Sequence, residues 1–321
     1  MKSSVRILVA LSAMLAATSA FAENYPSKPV KIIIPFSAGG VTDIAGRLIA
    51  QRLSERLGQQ FYIENLGGAG GNLGMAQVAR APADGYTVLL SSSSVTVNPS
   101  LYASMPFDPE KDLTPVTKAG GSPNSWLVNP DFPARTMKEM IELIRKEPGK
   151  YSVGSPGAGT TPSLSIEQLK HDLKLNFVTV PFAGGGPMTQ SLLGGHVPIV
   201  CGAIGNSVAL IKEGKIRALG LTDKKRLETL PDIPTLDEMG IKDQEGETMT
   251  GVFVPAGTPK EIVTLLQKEI AAVVKSPDIK ARLLEVGVVP EGNTPEEFSA
   301  YLKADIAKWR KVIADAKIPK I

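Results

Sequence analysis

The sequence predicts an α/β fold: two domains of parallel-rich sheets flanked by helices, with a ligand cleft between the domains. Three observations point there. Short β-branched runs recur along the chain, each followed by a glycine- or hydroxyl-rich turn and then by apolar residues at helical spacing. That is the pattern of strands alternating with helices in sheets covered on both faces. The 321 residues, less a short leader, suffice for two ordinary domains. Neither a flexible linker nor an internal repeat separates the two, so the chain is expected to cross between them in extended segments near residues 120–124 and 248–252.

The elements follow in order. Val30, Ile32, Ile33 and Ile34 make a buried strand. Beyond a Pro-Phe-Ser-Ala-Gly-Gly turn, Ile44, Leu48, Ile49, Leu53 and Leu57 share one face of a helix that Gly58 is placed to stop. Further strands are expected at residues 61–64, 87–90, 126–129, 151–154, 177–180, 198–201 and 218–221. Towards the C-terminus, Ser276-Pro277 opens one helix and Gly287 closes it. Thr294-Pro295-Glu296-Glu297 combines a capping box with proline at the first helical position. Phe298, Tyr301, Leu302, Ile306, Trp309, Val312 and Ile313 then form a stripe at helical spacing, the mark of core or domain packing.

Residues 1–22 read as a secretory signal peptide. Lys2 and Arg6 precede an apolar run over residues 7–17, and Ala20-Phe21-Ala22 is a small-x-small cleavage site, so cleavage is expected before Glu23. The run is too short to span a bilayer. Removing a leader with two cations and no acids takes the formal charge from +3 to +1. Nothing in the remainder forms a polybasic tract for nucleic acid or anionic lipid. The single Cys201 cannot make an internal disulfide, and two histidines beside it do not supply a structural zinc site, so neither metal nor cofactor is expected.

Four loops could carry chemistry, because glycines and hydroxyls concentrate just beyond expected strand ends, where open α/β sheets bind ligands. The first is residues 35–43, whose glycines admit close approach and whose helix N-terminus offers free N–H groups to an anion; Thr42 or Asp43 could equally cap a plain turn. Asp43 is expected to cap the helix and hold water, not to touch a carboxylate, because like charges repel. The second is Ser91-Ser92-Ser93-Ser94, suited to carboxylate oxygens or to a turn, with Ser92 and Ser93 as the candidate contacts. Residues 154–163 imitate a phosphate cradle without its lysine, and residues 181–187 hold a Gly-Gly-Gly run. A fifth glycine cluster, residues 67–74, has the wrong spacing for a dinucleotide fingerprint. No catalytic set assembles: His171 and His196 fall in polar stretches, Cys201 ends an apolar strand where a buried inert thiol is expected, and hydrolase or metalloprotease signatures are missing.

The run from Tyr25 to Asp43 resembles the opening of the tripartite tricarboxylate transporter substrate-binding proteins, the Bug receptors. Ile63-Glu-Asn-Leu-Gly-Gly-Ala-Gly-Gly-Asn-Leu-Gly74, Ala83-Asp-Gly-Tyr-Thr87, Gly154-Ser-Pro-Gly-Ala-Gly-Thr-Thr-Pro162, Leu192-Leu-Gly-Gly195, Ile211-Lys-Glu-Gly-Lys-Ile-Arg-Ala-Leu219 and Val254-Pro-Ala-Gly-Thr-Pro259 extend the likeness in order and spacing. The resemblance implies a two-domain periplasmic-binding-protein fold of type II, with domain 1 from residues 23–123 and 248–321 and domain 2 from residues 124–247. It implies a monomeric periplasmic receptor for a small organic acid (a di- or tricarboxylate, an amino acid or an aromatic acid), serving a membrane permease complex of one large and one small subunit. Carried over as ligand contacts are Phe36, Ser37, Ala38, Gly40 and Asp43, then Thr160 and Thr161, then Phe182 and Gly185. Two departures bear on the ligand: Cys201-Gly202-Ala203 replaces an aromatic-Asp-Asn cluster, and Thr250 stands where the family often has tryptophan. A ligand-loaded sensor for a signalling receptor, or an exported serine hydrolase using the 91–94 serines, are the other readings.

Overall fold

The computed structural model describes residues 25–321; the expected signal peptide and its cleavage site lie outside the described residues. Two sheets share one strand. In the first, β1 (Val30–Ile34) lies parallel between β2 (Phe61–Asn65) and β3 (Thr87–Ser91). Helix α1 (Val41–Leu57) leads from β1 to β2 and stops at Gly58, which takes the left-handed conformation at φ 69°. Helix α2 (Asn72–Ala79) joins β2 to β3, and α3 (Ser94–Leu101) and a short α4 (Pro109–Asp112) follow. The 16-residue β4 (Leu113–Val128) then leaves this sheet and enters the second.

There β4 pairs with β7 (Ile199–Ala203) and β8 (Arg217–Leu221), and β5 (Ser152–Ser155) lies parallel between β7 and β6 (Val178–Pro181). Helices α5 (Met137–Lys146), α6 (Thr161–Asp172), α7 (Gly185–Leu193) and α8 (Val208–Lys212) connect these strands. The chain returns through β9 (Glu247–Pro255), which inserts antiparallel between β3 and β4. Helices α9 (Lys260–Lys275) and α10 (Pro277–Glu285), a two-residue β10 (Val289–Pro290) on β4, and α11 (Pro295–Asp315) complete the first layer. Among the described residues every antiparallel pair involves β4, which runs between the layers, or β9, which lies beside it in the first sheet. The strand expected at residues 126–129 is only the last part of β4, since its Gly- and Pro-rich start has no apolar alternation to reveal it.

Period-two alternation explains the layers. Ile32 and Ile34 face Leu48 and Leu53 of α1 and Leu266 and Ile270 of α9; Ile33 points the other way, to Leu89, Phe253 and Phe298. In the second sheet Trp126, Val128, Ile199 and Cys201 face Met140, Ile144 and Leu169, while Leu127 and Val200 face Met188 and Leu192. Cys201 is fully buried, and burial pushes its thiol pKa well above the usual range. The capping box of α11 forms as its sequence predicts: Glu297 N–H donates to Thr294 Oγ1 at 3.2 Å, and Thr294 N–H donates to Glu297 Oε2 at 2.9 Å. Further along that helix, Trp309 and Ile313 pack on Val97 and Leu101 of α3 and on Leu164 of α6, so α11 touches both layers.

The crossings are tight. Asn124 N–H donates to the Gly246 carbonyl (3.2 Å), Thr222 N–H to Asn124 (2.9 Å) and Gly246 N–H to Thr222 (2.8 Å). At Gly121 a Cβ would lie 1.8 Å from Glu247 Oε2, so only glycine lets β4 pass this carboxylate undisturbed.

Candidate functional site

A cleft of about 640 Å3, its open mouth included, lies between the layers. Its walls are the segments beyond the carboxyl ends of β1, β3, β5, β6 and β7, together with Thr248 of β9. Ten of the eleven candidate residues meet there: Phe36, Ser37, Ala38, Gly40, Asp43, Ser92, Ser93, Thr160, Thr161 and Gly185. Phe182 does not. Its ring packs on the Met188–Leu192–Val200 cluster, 3.0 Å from where a Gly154 Cβ would stand, because its apolar surface finds a core there instead of a polar cleft. Thr42, Pro156 and Ala183, from the loops expected to form the walls, line the cleft as well, and so do Asn206 and Thr248, which lie outside those loops. Asn206 obeys the same rule as the others, being a polar residue just beyond a strand end, but lies in no glycine-rich run.

Three helix N-termini open on this space. α1 starts after Gly40, α6 after Thr160 and α7 after Gly184, and first-turn residues of all three line the cleft. None of these helices has a side-chain cap. Two of the caps are glycines, and the Thr160 hydroxyl donates instead to the Gly157 carbonyl at 2.7 Å. In α1 the first helical bond runs from Ile44 N–H to the Gly40 carbonyl, so the N–H groups of Val41, Thr42 and Asp43 have no partner within the helix. Uncapped N–H groups and the positive end of the helix dipole together favour an anion. Among the described residues no lysine, arginine or histidine lines the cleft.

The one ionisable side chain in the wall, Asp43, is already engaged. It is 3% exposed and accepts from Gly39 N–H (3.0 Å), Arg47 Nε and Nη2 (3.0 Å each) and Asn65 Nδ2 (2.9 Å). Burial works to raise its pKa, but the Arg47, Gly39 and Asn65 hydrogen bonds and the guanidinium charge outweigh it and hold the carboxyl below its ordinary value. Asp43 is therefore not the helix cap. It stands at the third helical position and reaches back to pin Gly39, which needs its glycine for φ +87°.

Hydrogen bonds also join the walls. Ser94 Oγ donates to the Gly159 carbonyl (2.5 Å), and the Glu247 carbonyl accepts from Ser93 Oγ (3.0 Å) on one wall and Thr161 Oγ1 (2.7 Å) on the other. The Asn124 side chain links Thr161 Oγ1 (3.3 Å) to Thr248 Oγ1 (3.0 Å). The glycine cluster at residues 67–74 serves this packing: a Cβ at Gly71 would stand 3.2 Å from the Phe36 ring, and one at Gly70 3.2 Å from the Ala158 carbonyl.

The model of the "Tripartite tricarboxylate transporter family receptor" matches residues 45–318. Protein BugT of Bordetella pertussis is 31% identical over 318 residues, covering 97% of this chain and 95% of its own. Among solved structures, R. palustris Rpa4515 with adipate superposes with a TM-score of 0.89 at 35% identity, over 92% of this chain and 100% of that one. MatC of Rhodopseudomonas palustris with bound malate gives 0.84 at 31% identity, over 90% and 100%. The sheets, the cleft and these likenesses together place the chain in the tripartite tricarboxylate transporter receptor family.

Proposed function

We propose that this protein is a periplasmic solute-binding receptor that captures a small organic carboxylate in the cleft, without chemical turnover, for delivery to a two-subunit membrane permease. The observation that carries the reading is the meeting of three uncapped helix N-termini in a cleft whose single ionisable side chain among the described residues, Asp43, is already paired. Such a wall attracts a carboxylate through main-chain donors, and among the described residues it offers no free base to activate its serine and threonine hydroxyls. A hydrolase using the 91–94 serines has no support here. Ser93 and Ser94 spend their hydroxyls on Glu247 and Gly159, and His171 and His196 are exposed outside the cleft. The names of the two R. palustris structures, which hold adipate and malate, support the ligand class. Residues 25–123 with 248–321 and residues 124–247 are the two bodies that would close on the acid, with β4 and β9 as the hinge.

A thermal-shift screen of organic acids, followed by calorimetry, tests the proposal. At a hundredfold excess over Kd a ligand of the folded state adds about 2.7 kcal/mol. Stabilisation by one or more carboxylates, but not by their neutral amides, is the expected result. No response to any acid, or turnover of an ester abolished by one serine substitution, would overturn it.

A further inference from the structure

We infer that Asn206 is a specificity-determining residue that reads a hydroxyl on the carbon next to the captured carboxylate, so that the receptor selects 2-hydroxy acids. The inference rests on the proposed capture of an organic acid.

Asn206 ends the 3-10 turn Ile204–Asn206 beyond β7 and lines the cleft. Its Oδ1 is buried and has no hydrogen-bond partner in the chain, a costly state unless a ligand or water supplies a donor. The turn is held from several sides. Gly205 N–H donates to Ser122 Oγ at 3.3 Å, and a Cβ on Gly205 would stand 2.3 Å from the Val286 carbonyl and 2.7 Å from Val41 Cγ2. Gly205 is thus fixed next to Val41, the first residue of α1, and Asn206 follows it directly in the chain. On its other side its Nδ2 lies 2.0 Å from where a Cβ of Gly185, the first residue of α7, would be. The carboxamide therefore lies at the N-terminus of α7, one residue along the chain from the contact with the N-terminus of α1. Its reach extends to a substituent on the adjacent carbon.

The chemistry of that substituent follows from the amide. A second carboxylate could only accept, leaving Oδ1 unpaired. A hydroxyl both donates and accepts, and so satisfies the carboxamide in either orientation. An ammonium could donate to Oδ1, but it would bring a positive charge to the positive ends of α1 and α7, and Asp43 is not free to offset it.

The test is calorimetry on matched acids: succinate, both malate enantiomers and aspartate; glutarate, 2-hydroxyglutarate and glutamate; phenylacetate, mandelate and phenylglycine. Wild-type protein is expected to bind the hydroxy member of its best series about tenfold tighter than the unsubstituted one, the worth of one well-made hydrogen bond. In Asn206→Ala the ratio should fall to within about twofold, with ligand-free thermal unfolding showing that the variant is folded. Gly185→Ala, whose methyl displaces the Asn206 amide from the opposite side, should erase the ratio independently. A wild type that does not prefer the hydroxy acid, or a preference that survives both substitutions, overturns the inference and leaves carboxylate capture standing. If no acid binds wild-type protein, the proposed function itself fails and this inference with it.

Discussion

Replacing Asp43 by asparagine should separate its structural role from any contact with ligand. The carboxylate accepts four hydrogen bonds, two from the Arg47 guanidinium. An asparagine keeps one acceptor oxygen and turns an N–H donor towards Arg47, Asn65 or Gly39, each a donor itself. Bonds to charged groups are worth about 1.5–3 kcal/mol each. Arg47 is 53% exposed, so water recovers part of the loss, and a net cost of about 2–3 kcal/mol is expected. With about 2.1 cal/mol/K of unfolding entropy per residue over roughly 300 residues, Tm should fall by about 4 °C. The sign with pH is fixed by the depressed pKa. The stabilisation is full above the unfolded carboxyl value of about 3.9 and disappears as pH falls through the lower folded value. The Tm gap between wild type and Asp43→Asn should therefore be constant from about pH 5 upward and close only in strong acid. Scanning calorimetry across pH, with binding measured for an amino acid and its deamino analogue, covers the prediction. An unchanged Tm, or selective loss of the amino acid, would refute the reasoning and make Asp43 a ligand contact.

Other perturbations probe the walls. A methyl ester should bind about 2 kcal/mol more weakly than its parent acid, because donors aligned for an anion are left poorly paired, and the acid's affinity should be nearly flat from about pH 6 to 8, since no histidine lines the cleft among the described residues; calorimetry at several pH values checks both. Ser94→Ala removes the buried hydroxyl bonded to the Gly159 carbonyl on the facing wall, so ligand-free Tm should fall by about 2–4 °C, as thermal unfolding would show. Saturating ligand should compact the protein by hinge motion at the crossings, visible as a smaller radius of gyration in small-angle scattering; an unchanged radius would count against closure.

Much of this was legible because local rules and tertiary structure agree. Glycine- and hydroxyl-rich segments beyond strand ends could be read as cleft walls since strand, turn and helix each announce themselves by periodicity. Arg47 as the partner of Asp43 is one helical turn away and could be inferred from spacing, whereas Asn65 reaches the same carboxylate from β2, a pairing that only the sheet creates. Phe182 was misplaced because a motif gives position along the chain and not the direction of a ring, which the apolar cluster at Met188 decides. Asn206 escaped notice because one amide in an apolar stretch carries no local signal; its position depends on the approach of its amide to Gly185 and of the preceding Gly205 to Val41, a residue far along the chain. The first half of β4 was hidden likewise, its strand character imposed by β9 and not by its own residues.

The insertion of β9 between β3 and β4 has a consequence for how the chain acquires its shape. Leu89 pairs with Phe253, 164 positions later, and Thr117 with Val252, 135 positions later, so β3 and β4 cannot complete their sheet until β9 arrives. The second sheet has no such wait: β4 through β8 are contiguous in sequence and pair among themselves. Nascent chains should therefore form their middle first and their beginning last. A chain truncated at residue 246 is expected to protect the amides of β5 and β7 from hydrogen exchange while leaving open those of β3 that face β9.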